Sequence, residues 1–282
     1  MSYAETPMPS MARSWLTAVP QLMRRAVRFL LPAECAVCRT PLADDPIPHF
    51  CSGCWNTIVL PGHSRCARCD RPFVSPVTTV FSPTHLCHSC AAHPPSYTRA
   101  WTLYPYQSPL RDAICLFKYR GKVSLATPLA RLMIDQLPAL DSIDLIMPVP
   151  LHIGRLRERE FNQSLLLADR IGRHLCVPVS CVNLIRTVPS PAQTTLSRKE
   201  RLKNLRGAFA ITRPGSITGK RILLIDDVFT TGATVNECAK TLRKAGSGDV
   251  FALTLGRTVD TSHIPDRVLA ERTRMAADVI GG

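Results

Sequence analysis

Residues 222–234, ILLIDDVFTTGAT, restrict the fold more than any other stretch of this 282-residue chain. Four apolar residues, Ile222 to Ile225, predict a strand buried on both faces of a parallel sheet. Asp226 and Asp227 mark its end, Thr230, Thr231, Gly232, Ala233 and Thr234 form a short loop, and a helix is predicted over 233–245. A loop at the carboxyl end of a strand, feeding a helix N-terminus, is where α/β folds bind anions, because free backbone N–H groups converge there. Threonine hydroxyls would complete a cradle for phosphate. The two carboxylates would repel that phosphate, so they are read as ligands for sugar hydroxyls or a cation. Phosphate beside sugar hydroxyls implies a phosphoribosyl group. An ordinary capped helix is the competing reading. It requires one Ser, Thr or Asp, and leaves the second carboxylate and the three threonines unexplained.

The surrounding pattern is α/β. Strands are predicted at 101–106, 144–149, 221–225 and 250–255, and helices at 109–119, 123–137 and 161–175. Strands alternating with helices imply a parallel sheet.

The N-terminal third differs. Eight of the twelve cysteines form C-x-x-C pairs: Cys35/Cys38, Cys51/Cys54, Cys66/Cys69 and Cys87/Cys90. CAVCRTPL, starting at Cys35, repeats as CARCDRPF, starting at Cys66, so one small unit is duplicated. Two such turns supply the four ligands of a tetrahedral zinc, and the metal would stabilise a segment too small to fold on its own core. Duplication implies two structural zincs, one on pairs one and two and another on pairs three and four. Interleaved pairing is the alternative, as is thioredoxin-like redox chemistry, although the latter needs a βαβ setting. His88 is expected to be solvated. Cys115, Cys176, Cys181 and Cys238 read as ordinary core or surface residues.

The predicted organisation is an amphipathic segment at 1–34, the zinc module at 35–95, the α/β domain at 96–259 and a tail at 260–282. Arg24, Arg25 and Arg28 interrupt the apolar stretch 15–31, which excludes a membrane span there and leads to a cytoplasmic expectation. The net charge of +14 favours a polyanionic partner, either pyrophosphate or nucleic acid.

Two basic segments join the candidate site. After the strand at 144–149, Arg155, Arg157 and Arg159 offer fixed positive charge for a leaving pyrophosphate, and Asn162, Gln163 and Ser164 offer hydrogen bonds at a helix start. A solvated basic loop is the bland alternative. Residues 187–209 hold five basic residues between Arg198 and Arg206, after a proline-containing stretch expected to be mobile. They suit either a lid over the site or a strip that binds nucleic acid.

Residues 222–234 resemble the phosphoribosyl-pyrophosphate (PRPP) motif of type I phosphoribosyltransferases. Over about 30–258 the chain resembles the ComF family, of the ComFC and GntX group. The resemblance rests on the cysteine pairs, LFKYRG at 116–121, PVP at 148–150, Arg157-Glu158-Arg159, Phe161-Asn162-Gln163, residues 193–209 and residues 225–234. It implies a double zinc ribbon fused to a type I phosphoribosyltransferase-like parallel sheet, and an association with competence and DNA uptake. A competence helicase or another DNA-uptake protein is the partner it implies. Glu160 departs from the family pattern, which has glycine there; a carboxylate would repel pyrophosphate unless turned away or paired with Arg157 or Arg159.

In an active enzyme, residues 230–234 would hold the 5′-phosphate. Asp226 and Asp227 would hold the ribose hydroxyls, directly or through Mg²⁺, and stabilise positive charge at the anomeric carbon. Lys118 and His152 are further candidates for phosphate binding or for structural roles. The rival readings are a non-catalytic PRPP sensor and a single-stranded DNA-binding adaptor.

Overall fold

In the computed structural model, the described residues are 33–258 apart from 43, 63, 74–81, 141 and 189–204. The expected amphipathic segment, most of the basic lid segment and the tail lie outside them. The chain divides into two compact units, residues 1–57 and 58–282.

The first unit contains one cysteine knuckle. Cys35 N–H donates to Thr40 O (2.9 Å) and Arg39 N–H to Cys35 O (3.0 Å). Arg39 takes the left-handed conformation, φ 64°, that closes the turn. Helix α1 (Ser52–Trp55) follows, with Trp55 against Phe50 at 5.4 Å. The second unit repeats this bond for bond. Cys66 N–H donates to Arg71 O, Asp70 N–H donates to Cys66 O (both 2.9 Å), and Asp70 has φ 61°. Helix α2 (His88–Ala92) then starts from Cys87 as α1 starts from Cys51. The sequence duplication is therefore a duplication of backbone hydrogen bonding.

The second unit also holds β1 (Arg99–Pro105), β2 (Leu145–Pro148), β3 (Leu184–Arg186), β4 (Phe209–Ile211), β5 (Ile222–Phe229) and β6 (Val250–Arg257). Four of these form a parallel sheet in the order β1-β6-β5-β2; β3 and β4 form a separate antiparallel pair. Ile222 to Ile225 are fully buried, as a strand covered on both faces requires. Ile222 and Leu224 join a core cluster with Val235, Leu242 and the cysteines of the second knuckle, so alternation turns Leu223 and Ile225 to the opposite face.

The helices are α3 (Leu110–Tyr119), α4 (Ala126–Ile134), α5 (Ile153–Arg159), α6 (Gln163–Leu175) and α7 (Ala233–Lys244). Helix α6 packs on α4, β2 and β5, while α7 packs on β4, β5 and β6. The single helix expected over 123–137 is a 3₁₀ turn, Val123–Leu125, followed by α4. Pro128 explains the break: proline fits the first turn of a helix, where its missing N–H costs nothing. Helix α5 replaces an expected loop. It is capped by His152, whose Nδ1 accepts from Gly154 N–H at 3.1 Å.

The second knuckle covers the open edge of β1. Ala100 N–H donates to Arg68 O (2.8 Å), Thr102 N–H donates to Asp70 Oδ2 (2.8 Å), and Thr102 O accepts from Arg65 Nη1 (2.7 Å). Unpaired backbone at a sheet edge otherwise invites another chain. Asp70, 7% exposed, also accepts from the Thr102 hydroxyl (3.1 Å) and pairs with Arg65 (2.5 Å). Asp70→Ala is expected to strand two buried donors and a guanidinium and to cost about 2–4 kcal/mol by chemical denaturation of the zinc-loaded chain. A loss below about 1 kcal/mol would show that the edge contact contributes little.

Candidate functional site

The acidic pair lies within β5, not beyond its end. The ladder continues because β6 is equally long: Asp226 sits opposite Thr254, and Phe229 opposite Arg257. Consecutive strand residues face opposite sides of a sheet, so the two carboxylates leave the backbone in different directions. Asp227 is buried and meets Lys118 Nζ at 2.7 Å. Asp226 Oδ1 accepts from the Ser164 hydroxyl (3.0 Å) and from Asp227 N–H (2.9 Å).

These contacts set the charge state. Burial raises the Asp226 pKa first and the Asp227 charge second; Lys118 and the two hydrogen bonds oppose them, leaving it at about 7. Burial also disfavours the Lys118 ammonium, yet the Asp227 and Asp226 charges outweigh it and hold its pKa above the usual lysine value. A cation, half of an acidic pair and a second carboxylate poised near neutrality thus share one buried corner.

Beside them the loop at 230–234 enters α7. Gly232 is the N-cap at φ 78°, with no side chain capping the helix. A Cβ at this position would lie 2.4 Å from Phe229 Cζ, so both the conformation and the space require glycine. Thr230 and Thr231 are exposed. The Thr231 hydroxyl accepts from Ala233 N–H at 3.4 Å. The first-turn amides of α7 have no intrahelical acceptor, so the loop end presents donors beside the acidic pair.

The first basic segment lies on α5 and the start of α6. Arg155 pairs with Glu158 (3.2 Å), and Arg157 is exposed. Arg159 stacks over Tyr119 at 4.9 Å and donates to Gln163 Oε1 at 3.2 Å. Gln163 is 1% exposed, and its Nε2 has no partner. Asn162 is engaged: its Oδ1 caps α6 through Ser164 N–H and Leu165 N–H, and its Nδ2 donates to Val149 O. Glu160 is exposed, caps α5 at φ 65° and makes no ion pair among the described residues. It adopts the left-handed conformation without being glycine.

The cysteines form two clusters, Cys35/Cys38/Cys51/Cys54 and Cys66/Cys69/Cys87/Cys90, each with its four sulfurs within 4.8 Å of one another. Pairs one and two join, and pairs three and four join, as the duplication implies. Cys38 and Cys51 sulfurs are 3.6 Å apart, and those of Cys69 and Cys87 are 3.7 Å apart. A tetrahedron with Zn–S bonds of about 2.3 Å has edges of roughly 3.8 Å, so both clusters fit zinc. Backbone amides already point at the sulfurs, Cys54 N–H at Cys51 (3.4 Å) and Cys87 N–H at Cys66 (3.3 Å). His88 is exposed and outside the cluster.

Residues 26–91 match the double zinc ribbon domain family. The DNA utilization protein YhgH of Escherichia coli is 32% identical over 238 residues, spanning 81% of this chain and 99% of that protein. Competence protein F of Haemophilus influenzae is 32% identical over 179 residues, 61% of this chain and 78% of its own. The chain belongs to the ComF family. Competence protein ComFC of Streptococcus pneumoniae, 26% identical over 218 residues, covers 74% of this chain and 87% of its own length. Glutamine PRPP amidotransferase from Bacillus subtilis superposes on 56% of this chain and 37% of its own, at 17% identity and TM-score 0.36, a similarity too small to carry an assignment. No helix of the described residues is long and apolar enough to cross a membrane.

Sequence pattern missed the Lys118–Asp227 pair. Lys118 and Asp227 are over a hundred residues apart, and nothing local distinguishes Lys118 from any lysine near a helix end. The raised Asp226 pKa has a testable sign. The folded state holds its proton up to about pH 7, the unfolded chain only to about pH 4, so this contribution to stability is lost as pH rises between those values. Asp226→Asn keeps both hydrogen bonds to Oδ1 but cannot ionise. It is expected to be more stable than the natural protein by about 1–3 kcal/mol at pH 8, with the gap closing toward pH 4. A pH-independent difference in denaturation midpoint would contradict the raised pKa.

Proposed function

We propose that this ComF-family chain binds PRPP at the carboxyl end of β5 and transfers its phosphoribosyl group. The observation that carries this is the α7 N-terminus, whose N-cap Gly232 has no side chain, flanked by threonines and placed directly after two neighbouring carboxylates. The loop at 230–234 supplies N–H and hydroxyl donors for the 5′-phosphate. Asp226 and Asp227 accept from the ribose hydroxyls and face the positive charge that grows at the anomeric carbon. Mg²⁺, a hard cation that takes oxygen ligands, would neutralise the pyrophosphate, with this acidic pair as candidate ligands. Arg155, Arg157 and Arg159 supply the fixed positive charge on the pyrophosphate side, and Asn162 and Gln163 complete that side by setting the start of α6. Lys118 keeps the acidic pair from repelling itself until the sugar arrives.

The relatives' names concern DNA utilization and competence, which supports a role for the site in the handling of incoming DNA. They also support a second reading, in which the zinc ribbons and basic surface bind single-stranded DNA or a competence helicase and the phosphoribosyl site acts as a sensor. DNA binding that is salt-sensitive and indifferent to Asp226 and Asp227 would favour it.

Ligand that binds only the folded state raises the melting temperature. Mg²⁺-PRPP is expected to stabilise the natural protein and to release pyrophosphate when an acceptor is present. Gly232→Ala, which drives a Cβ into Phe229, is expected to abolish both effects. Equal PRPP-induced shifts in the two proteins would remove the loop from the site.

A further inference from the structure

Arg257 ends β6 and is 7% exposed, and no carboxylate pairs with it among the described residues. A buried cation without a counter-charge is costly, so its surroundings require explanation. Arg257 Nη1 donates to the carbonyl of Cys69 at 2.6 Å. Its guanidinium lies over the Phe229 ring, 4.7 Å from the centroid. The Phe229 ring in turn fills the space beneath Gly232, and Tyr97 meets it edge-on at 6.4 Å. Phe229, Tyr97 and the cysteines Cys66, Cys69, Cys87 and Cys90 belong to one core cluster. The contacts form an unbroken line from second knuckle to guanidinium to ring to loop glycine.

We propose that Arg257 is a positioning residue that ties the 230–234 loop to the second Cys₄ centre, so that metal occupancy there sets the shape of the anion-binding loop. Four thiolates on Zn²⁺ carry a net charge of two minus, which supplies the missing counter-charge for a buried guanidinium. Losing that charge leaves Arg257 uncompensated, and its departure frees Phe229, the surface against which Gly232 is folded. The coupling runs both ways: a change at Phe229 must be felt at the metal. The ligand consequence rests on the phosphoribosyl reading, whereas the link between metal and loop does not.

The test uses the full zinc-loaded chain and three variants. Arg257→Met removes charge and donor while keeping length, and Phe229→Leu breaks the line from the loop side. Phe117→Leu is the control: Phe117 is equally buried but packs on Phe161, outside the cluster that holds the cysteines. Zinc release to a chelator and amide hydrogen exchange over 229–235 are followed. Arg257→Met and Phe229→Leu are each expected to speed release of one of the two zincs and exchange in the loop roughly tenfold or more, and Phe117→Leu to change neither. Affinity for Mg²⁺-PRPP should fall in the same two variants.

Loop exchange unchanged in Arg257→Met, or zinc release unchanged in Phe229→Leu, would overturn the proposal. Should Arg257→Met fail to fold, Phe229→Leu against its control decides. Should the natural protein bind no PRPP, the phosphoribosyl reading falls, and zinc release with loop exchange still judges the link.

Discussion

Two carboxylates follow each other in a buried strand, and the Lys118 ammonium, 2.7 Å from Asp227, makes that arrangement tolerable. Burial and the neighbouring Asp227 charge raise the Asp226 pKa, and the Lys118 cation opposes that rise. Much of the second unit serves the contact. Helix α3 carries Lys118 and is seated by Ile114 and Phe117, both fully buried. Helix α6, capped by Asn162, brings Ser164 to Asp226. The parallel ladder to β6 fixes the backbone beneath both acids. Lys118 balances one negative charge of the pair, so a proton near neutrality balances the other.

The zinc-ribbon half of the second unit is joined to this sheet by hydrogen bonds rather than by a linker alone. Arg65, Arg68 and Asp70 cover the edge of β1, and Arg257 reaches from the end of β6 to Cys69. A metal centre that would ordinarily stabilise only its own knuckle thereby supports the strand edge and the loop beside the acidic pair. The first knuckle repeats the turn, but has Arg39 where the second has Asp70. The side chain that reaches Thr102 in the second copy has no counterpart in the first, so the two copies have diverged in what they hold.

Much of this was legible in sequence because its signals are local. The apolar run before Asp226, the threonine loop and the C-x-x-C spacing each specify a short piece of backbone, and each piece formed. The repeat from Cys35 to Leu42 and Cys66 to Phe73 predicted the pairing of cysteines that the clusters display. What stayed hidden depends on chain segments far apart. Lys118 meeting Asp227, Ser164 meeting Asp226 and Arg257 meeting Cys69 come from topology, which periodicity does not encode. Helix α5 was hidden for another reason: with no buried residue it has no apolar stripe to read. Glu160 looked like a defect beside a pyrophosphate site, yet its cost falls on the backbone, at φ 65°, while its side chain remains in solvent.

The central claim is that the end of β5 is a working phosphoribosyl site, and calorimetric titration of Mg²⁺-PRPP into the zinc-loaded protein tests it most directly. The comparison is with the Asp226→Asn, Asp227→Asn double variant, whose fold is checked by its zinc content and circular dichroism. Saturable binding to the natural protein that vanishes in the double variant is the expected result. Absence of binding to the folded natural protein, or equal binding by both, would contradict the account and turn attention to DNA as the ligand.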